Sequence, residues 1–589
     1  LTPGDVSIQG VGITPDIEIM PMTVDRADMD LVADPLYLRE ADLASHLTHA
    51  SAHDGDHPAV TLNYYLPSAE RRALREAGPD DDESVSEDEF LLRFAREVLA
   101  HAPNGGRRAI LEAAGPIIER VRGEEMARAI EDMRVLGVDW AEGNDAGAST
   151  VSVEVATVEA DNHGRAGEPF DLRVRVTNTG TAPLYRLRAT TNSDYGLFNH
   201  RELVFGRLDP GATREWTTTL GTCETEGEIE VCRLPPEVAS RSDGIRLEFE
   251  ESHGHAPPSA EVRTTVDGLP HPAFAYQIHL ADDVRGNGDG LIQRGERGTL
   301  YLHVRNTGLG PTHDTEANLR SLAGEGVLLY DGRFRIDDIP PGEERTVEFT
   351  FEILSDFAGD EATMEFVVVD TDLNETMTER VRVPVSTHVS TVTDRTGRVT
   401  VRDTASVLER PGGRSFARVE GGSVSLPASA ELDGAVRVDI GGGTPAWIAT
   451  SDIVSGRAAA GRIVTVLDAM PPSIDVEGTT LVTTSETLSL RGIARDDTVV
   501  RDVYIYVGMR KVFYSSNRRS ATPREAHFEA TVPLRPGTNY VVIFARENDD
   551  SISRRSFVVR RDAPDGSLME TPPISDEWFH FGIDEAPEE

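Results

Sequence analysis

One lysine, Lys511, stands in a chain of 589 residues whose other basic side chains are all arginine or histidine. A serine nucleophile activated by a lysine amine would therefore have a single candidate base. That base lies in a segment expected to be strand, with no glycine-framed serine beside it. Gly-x-Ser-x-Gly, His-Glu-x-x-His and a phosphate-cradling glycine loop are also missing, so no catalytic residue is expected within residues 1–589. No apolar run reaches 18 residues, which excludes a hydrophobic transmembrane helix. Cysteine is nearly absent as well: only Cys223 and Cys232 occur, with eight residues between them. A zinc site would need further ligands, and no other His or Cys lies close by in sequence. Two readings remain, a disulfide across a hairpin or two buried thiols; an oxidising compartment, periplasmic or at the cell surface, goes with the first.

What the chain has in excess is negative charge. Against 58 basic residues stand 101 acidic ones, a formal net charge of −43. Such an envelope repels phosphate backbones and anionic lipid, so nucleic acid is not an expected partner. Divalent cations and basic partners are the natural counter-charges. The 34 prolines and 52 glycines favour many turns.

Periodicity divides the chain. Residues 23–84 read as a linker holding a short helix near 38–47; His46, His49, His53 and His57 with Asp54 and Asp56 follow, and breakers at Gly55 and Pro58 favour a solvated segment over a metal site. Residues 85–145 read as a spacer of three short amphipathic helices, the second kinked or broken at Gly115-Pro116. From 149 the period falls to two. Leu172, Val174 and Val176 alternate with arginines before Asn178-Thr179-Gly180; Leu300, Leu302 and Val304 do the same before Asn306-Thr307-Gly308, 128 residues later. Pro210-Gly211 and Pro341-Gly342 lie 131 apart, which makes 149–268 and 272–387 an internal repeat of one sandwich. A third sandwich is expected at 464–562, and a disordered acidic tail at 563–589. The expected fold class is thus multidomain and mainly β, immunoglobulin-like sandwiches preceded by a small α-helical region.

The sharpest ligand candidate opens the second sandwich. In Asp282-Asp283-Val284-Arg285-Gly286-Asn287-Gly288-Asp289-Gly290, followed by Gly295-Glu296, Asn287, Asp289, Gly290 and Glu296 fall at calcium-loop positions 3, 5, 6 and 12. Arg285 occupies position 1 and cannot ligate a cation, so Asp282 or Asp283 would have to take its place. A structural calcium on Asp282, Asp283, Asn287, Asp289 and Glu296 and a plain Asn-Gly/Asp-Gly turn both satisfy this pattern. No other cofactor is required.

Three resemblances add to this. Leu1–Ile19, LTPGDVSIQGVGITPDIEI, resembles the closing segment of the catalytic domain of carboxy-terminal processing (tail-specific) serine peptidases, in which TP-x3-SIQG-x-GI-x-PDI follows the catalytic Ser and Lys. Gly4-Asp5-Val6 departs from the usual Ser-Gly-Arg. The resemblance implies that residues 1–22 end a peptidase domain and that the rest is its non-catalytic extension in the periplasm or on the cell surface. Protein substrates, envelope proteins or cell wall are its implied partners. The alternative is a non-enzymatic surface or adhesion protein. The NTG and PGxxR turns resemble bacterial cell-adhesion-related modules, and 389–456, with Ala446-Trp447-Ile448, resembles a bacterial Src-homology-3-like barrel with its Trp in the core.

Overall fold

A computed structural model describes residues 15–26, 29–31, 59–77, 85–103, 106–226, 229–548 and 551–573. Most of Leu1–Ile19, the 38–47 helix, the four histidines after it and the end of the tail lie outside these residues. The chain is multidomain and mainly β, and it forms two compact units. One holds Leu1–Gly164, Glu168–Leu234 and Asp243–Thr265; the other holds Arg165–Gly167, Pro235–Ser242 and Val266–Glu589.

In the first unit, strand Ile17–Met22 pairs in parallel with Val60–Tyr65. Leu62, Tyr64 and Leu66 pack against Phe90 and Phe94 of helix Val85–Ala100 and against Ala114, Ile117, Ile118 and Val121 of helix Arg107–Val135. Buried Glu125 accepts the Tyr65 amide proton at 2.9 Å. The stretch expected to be linker therefore contributes a core strand, and Ser68–Ala77 is helical. The expected break at Gly115-Pro116 does not occur, and two of the three expected helices are one helix of 29 residues. Glu112 and Pro116 are exposed, so the carbonyl that loses its N–H partner faces water.

The first sandwich sets Val151–Thr157, Asp171–Asn178 and Thr213–Thr219 in one antiparallel sheet. Leu184–Asn192 pairs with Glu202–Leu208 in the other. Leu172, Val174 and Val176 are fully buried, as the alternation requires. Cys223 and Cys232 sit opposite each other across the hairpin Thr222–Glu226/Ile229–Arg233 and form a disulfide.

The second unit begins with the second sandwich. Its first sheet runs Phe274–Arg285, Glu296–Asn306, Glu344–Ile353, Val327–Asp331. Its second is built on Thr315–Ser321, Glu361–Asp370 and Glu375–Ser386, and the core between them holds Leu300, Leu302, Phe349, Phe351 and Phe366. A small sheet module follows from Thr393, and it reaches Arg462–Thr465, further than expected, because that strand pairs with Ser415–Glu420. The terminal sandwich sets Ser473–Val476, Thr487–Arg495 and Glu525–Pro533 against a sheet ordered Arg510–Ser516, Asp502–Val507, Gly537–Arg546, Ile552–Arg561. Residues of the expected tail remain attached to it: Thr571 Oγ1 accepts the Thr538 amide proton at 2.8 Å, and the Pro573 carbonyl accepts from Arg535 at 2.9 Å.

Candidate functional site

The most constructed polar site in the second unit is the seam between the second sandwich and the small module. Along Phe274–Ala281 the even-numbered residues face the sandwich core, so Ala275, Gln277, His279 and Ala281 point away from it, where an antiparallel sheet normally meets water. Here Gln277, His279 and Ala281 are buried, as are Thr299, Tyr301 and His303 beside them. What covers them is the small module. The Phe416 ring lies on the His279 imidazole, centroids 3.9 Å apart and planes within 9°. Tyr301 stacks on His279 at 4.8 Å, and His303 stacks on His279 at 5.3 Å. Both His279 ring nitrogens are buried without a hydrogen-bond partner, and so is Nε2 of His303. Burial, reinforced by His303 and the Arg414 guanidinium, holds His279 well below the usual imidazole range.

Polar bonds frame the stack. His303 Nδ1 lies 2.8 Å from Thr346 Oγ1 and 3.3 Å from Glu344 Oε1. Glu344 accepts from Thr465 Oγ1 at 2.8 Å and from Arg305 Nη2 at 2.8 Å. Burial alone would raise this carboxyl, yet the hydrogen bonds from His303, Thr465 and Arg305 bring it down to about 2. The Tyr276 carbonyl accepts the Asp468 amide proton at 2.8 Å, and Arg414 bonds both Asp468 and the Ile278 carbonyl. The segment after the small module thus closes the free edge of the sandwich strand, a position that otherwise invites foreign strands.

The candidate calcium loop sits at the same seam. Asp282 and Asp289 are buried and Asn287 and Glu296 half-buried. Asp282 accepts the amide protons of Asp289 (3.0 Å) and Gly290 (2.9 Å); Asp289 accepts those of Leu291 (2.9 Å) and Ser390 (2.7 Å). Glu296 accepts those of Asn287 (3.2 Å) and Gln293 (3.0 Å). Burial, with Asp289 and Glu296 close by, pushes the Asp282 carboxyl up to about 6. Gly288 and Gly290 have φ of +76° and +81°, and a side chain on either would collide with the small module, with Arg437 at the first and Arg410 at the second. The loop carboxylates are therefore committed to backbone N–H groups. Among the described residues no group of three or more His, Cys, Asp or Glu converges as a metal set.

Sequence reading missed His279, His303, Phe416 and Glu344. The available signal was a change of composition: the outward positions before one NTG turn are Arg173 and Arg175, and before the other Tyr301 and His303. Trp447, expected within the core of its own module, is buried where it would meet a side chain at Gly290.

No family model matches the chain, and no curated protein does. Among solved structures the chain is similar to red sea bream transglutaminase at 11% identity with a TM-score of 0.16, over 44% of this chain and 34% of that one. The chain thus spans about a third of that structure's length, and a likeness this low carries no functional argument.

Proposed function

We propose that the chain is the carboxy-terminal, non-catalytic extension of a bacterial envelope serine endopeptidase of the tail-specific type. Its β modules, with 389–456 read as a Src-homology-3-like barrel, present exported protein substrates or hold the enzyme at the envelope. The supporting observation is the Leu1–Ile19 string together with the place its end takes. Ile17–Ile19 open a strand paired in parallel with Val60–Tyr65 beneath helices, as at the margin of an α/β domain. The disulfide accords with an oxidising compartment. The coding sequence upstream of Leu1 tests the reading: a Ser…Lys pair on a glycine-framed turn is expected there, and its absence overturns the proposal in favour of a non-enzymatic surface protein.

A second element of the reading is structural calcium at the seam loop, where burial above all, and then the nearby Asp289 and Glu296 carboxylates, raise Asp282, a cost that a divalent cation would offset. Asp282, Asp283, Asn287, Asp289 and Glu296 are the residues that would hold it, the side chain of Asp283 lying outside the described residues and the other carboxylates having to exchange backbone N–H bonds for the cation. Millimolar calcium should then raise the melting temperature of the wild type and not that of Asp289→Asn. An equal shift in both, or none in either, removes calcium from the account.

A further inference from the structure

The terminal sandwich carries an outward aromatic face. Val503, Ile505, Val507, Val541 and Ile543 fill its core, so Tyr504, Tyr506, Tyr540 and Phe544 point outward from the same sheet. The rings of Tyr504, Tyr506 and Phe544 form one platform, and Tyr540 lies farther along the same strand on the same face. Tyr504 stacks on Phe544 at 5.0 Å, and Tyr506 meets each of these edge-on at 6.0 Å. The Lys511 ammonium lies 4.7 Å from the Tyr504 ring centroid and 4.8 Å from that of Tyr514. Tyr514 and Tyr540 are 47% exposed, and Met509, at the adjoining hairpin turn, is 69% exposed. The surroundings are basic: residues 501–561 hold twelve Arg and Lys against six Asp and Glu, in a protein of net charge −43.

The segment with complementary chemistry is the end of this same chain. Residues 574–589, ISDEWFHFGIDEAPEE, carry six acids and no Arg or Lys, with Trp578, Phe579 and Phe581 among them. The described chain leaves the sandwich beside the platform. Thr571 is hydrogen-bonded to Thr538, two residues before Tyr540, and the Gly508 amide at the Met509 turn donates to the Tyr540 carbonyl. Trp578 lies five residues beyond Pro573 and seven beyond Thr571, reaches of about 17 Å and about 24 Å, while Tyr540 lies only about 7 Å along the strand from Thr538, to which Thr571 is bonded. The tether is therefore long enough to bring Trp578 to Tyr540.

We propose that residues 574–589 dock in cis on this outward face, with their aromatic rings on Tyr504, Tyr506, Tyr540 and Phe544 and their acids toward Lys511 and the neighbouring arginines. Docking covers an aromatic patch that would otherwise stand partly open to water, and the opposite charges of tail and face favour it. The inference does not depend on the peptidase reading.

Acrylamide quenching of Trp578 tests it, isolated as the difference between wild-type and Trp578→Phe emission in the full chain. A quenching constant several-fold below that of the free peptide 574–589 is expected, unchanged by dilution and rising toward the peptide's value in 1 M salt. Tyr540→Ser with Lys511→Glu should expose Trp578 to nearly the peptide's level, with the circular dichroism spectrum unchanged. Quenching equal to the free peptide's in the wild type overturns the proposal. Protection that vanishes on dilution overturns it in favour of a second copy, and protection that survives the double variant places the tail elsewhere.

Discussion

The two repeated sandwiches share one internal device and differ in what their outer faces meet. In the first, buried Asn178 donates through Nδ2 to the carbonyls of Ala182 (2.8 Å) and Leu208 (2.9 Å) while its backbone bonds Gly211 and Ala212. In the second, Asn306 donates to Gly310 (2.7 Å) and Ile339 (2.8 Å) while its backbone bonds Gly342 and Glu343. Each Asn ties its NTG turn to its Pro-Gly turn. The outer rows then diverge. Glu154, Arg175 and Glu215 lie side by side in one sheet, and the corresponding register in the other reads Gln277, His303, Thr346. The first row is exposed and ion-paired; in the second, Gln277 and His303 are buried and only Thr346, at its end, reaches water. One scaffold thus carries two surfaces, and the cover over each decides which residues suit it.

The largest effect should come from the shared device. Asn178→Ala and Asn306→Ala each leave two carbonyls without their donor, at a cost of about 2–4 kcal/mol. Hydrogen exchange of the affected sandwich should speed up in both variants by comparable factors. A large effect in one and none in the other would break the equivalence of the two turns.

Next comes exchange of the faces. Gln277→Glu, His303→Arg and Thr346→Glu together place the first sandwich's charged row on the second. The core on the opposite side of the sheet is untouched, so the sandwich should still fold. Position 346 is exposed, but burying the charges introduced at 277 and 303 costs several kcal/mol, and the small module should come away. Limited proteolysis between residues 386 and 393 reads this directly. Continued protection there would show that Phe416, Arg414 and Asp468 hold the seam without the row.

These two variants also separate what the sequence made legible from what it did not. Alternation of Leu172, Val174 and Val176, and of Leu300, Leu302 and Val304, fixes strands and core because a one-residue slip would turn every apolar side chain to water. The paired turn signatures fix the repeat. The same alternation marks His279 and His303 only as pointing away from the core. Whether water or another module lies beyond is decided by Phe416, more than a hundred residues on. In the helical region Pro116 misleads because a proline on the solvent side of a long helix costs a hydrogen bond without ending it. Val60–Tyr65 hides because its partner is Ile17–Met22, a pairing that no local pattern announces.

A smaller effect is pH-dependent and belongs to the second sandwich alone. His279 is held below its ordinary value in the folded chain, so unfolding takes up a proton as pH falls below about 6.5. Stability from this group is fully present above that pH and is lost as pH falls toward the folded value. Asp282 works in the opposite sense, since a carboxyl raised to about 6 becomes neutral in the folded chain before it does in the unfolded one. Glu344, near 2, matters only in stronger acid. His279→Phe keeps the stack and removes the imidazole. The variant's stability relative to wild type should therefore rise between pH 7 and pH 5; a constant difference would show that the His279 ring is protonated without loss of the seam.

The smallest expected effect lies at the position where the comparison is sharpest. Arg175 of the first sandwich and His303 of the second occupy the same place before their NTG turns, 128 residues apart. Arg175 bonds Glu215 at 2.7 Å and approaches Glu154 at 3.7 Å, yet the three side chains are 40–70% exposed. Water screens such pairs and the ordering of long side chains offsets much of their attraction, so Arg175→Ala should cost no more than about 1 kcal/mol, less at high salt. His303→Ala has no solvent to fill its place: it removes the Glu344 and Thr346 contacts and opens a gap beside His279. Chemical denaturation of the two variants at 0.05 M and 1 M salt should show a small, salt-sensitive loss for Arg175→Ala and a larger, salt-insensitive loss for His303→Ala. Equal losses would mean that the cover over the second sandwich contributes nothing its fold does not already supply.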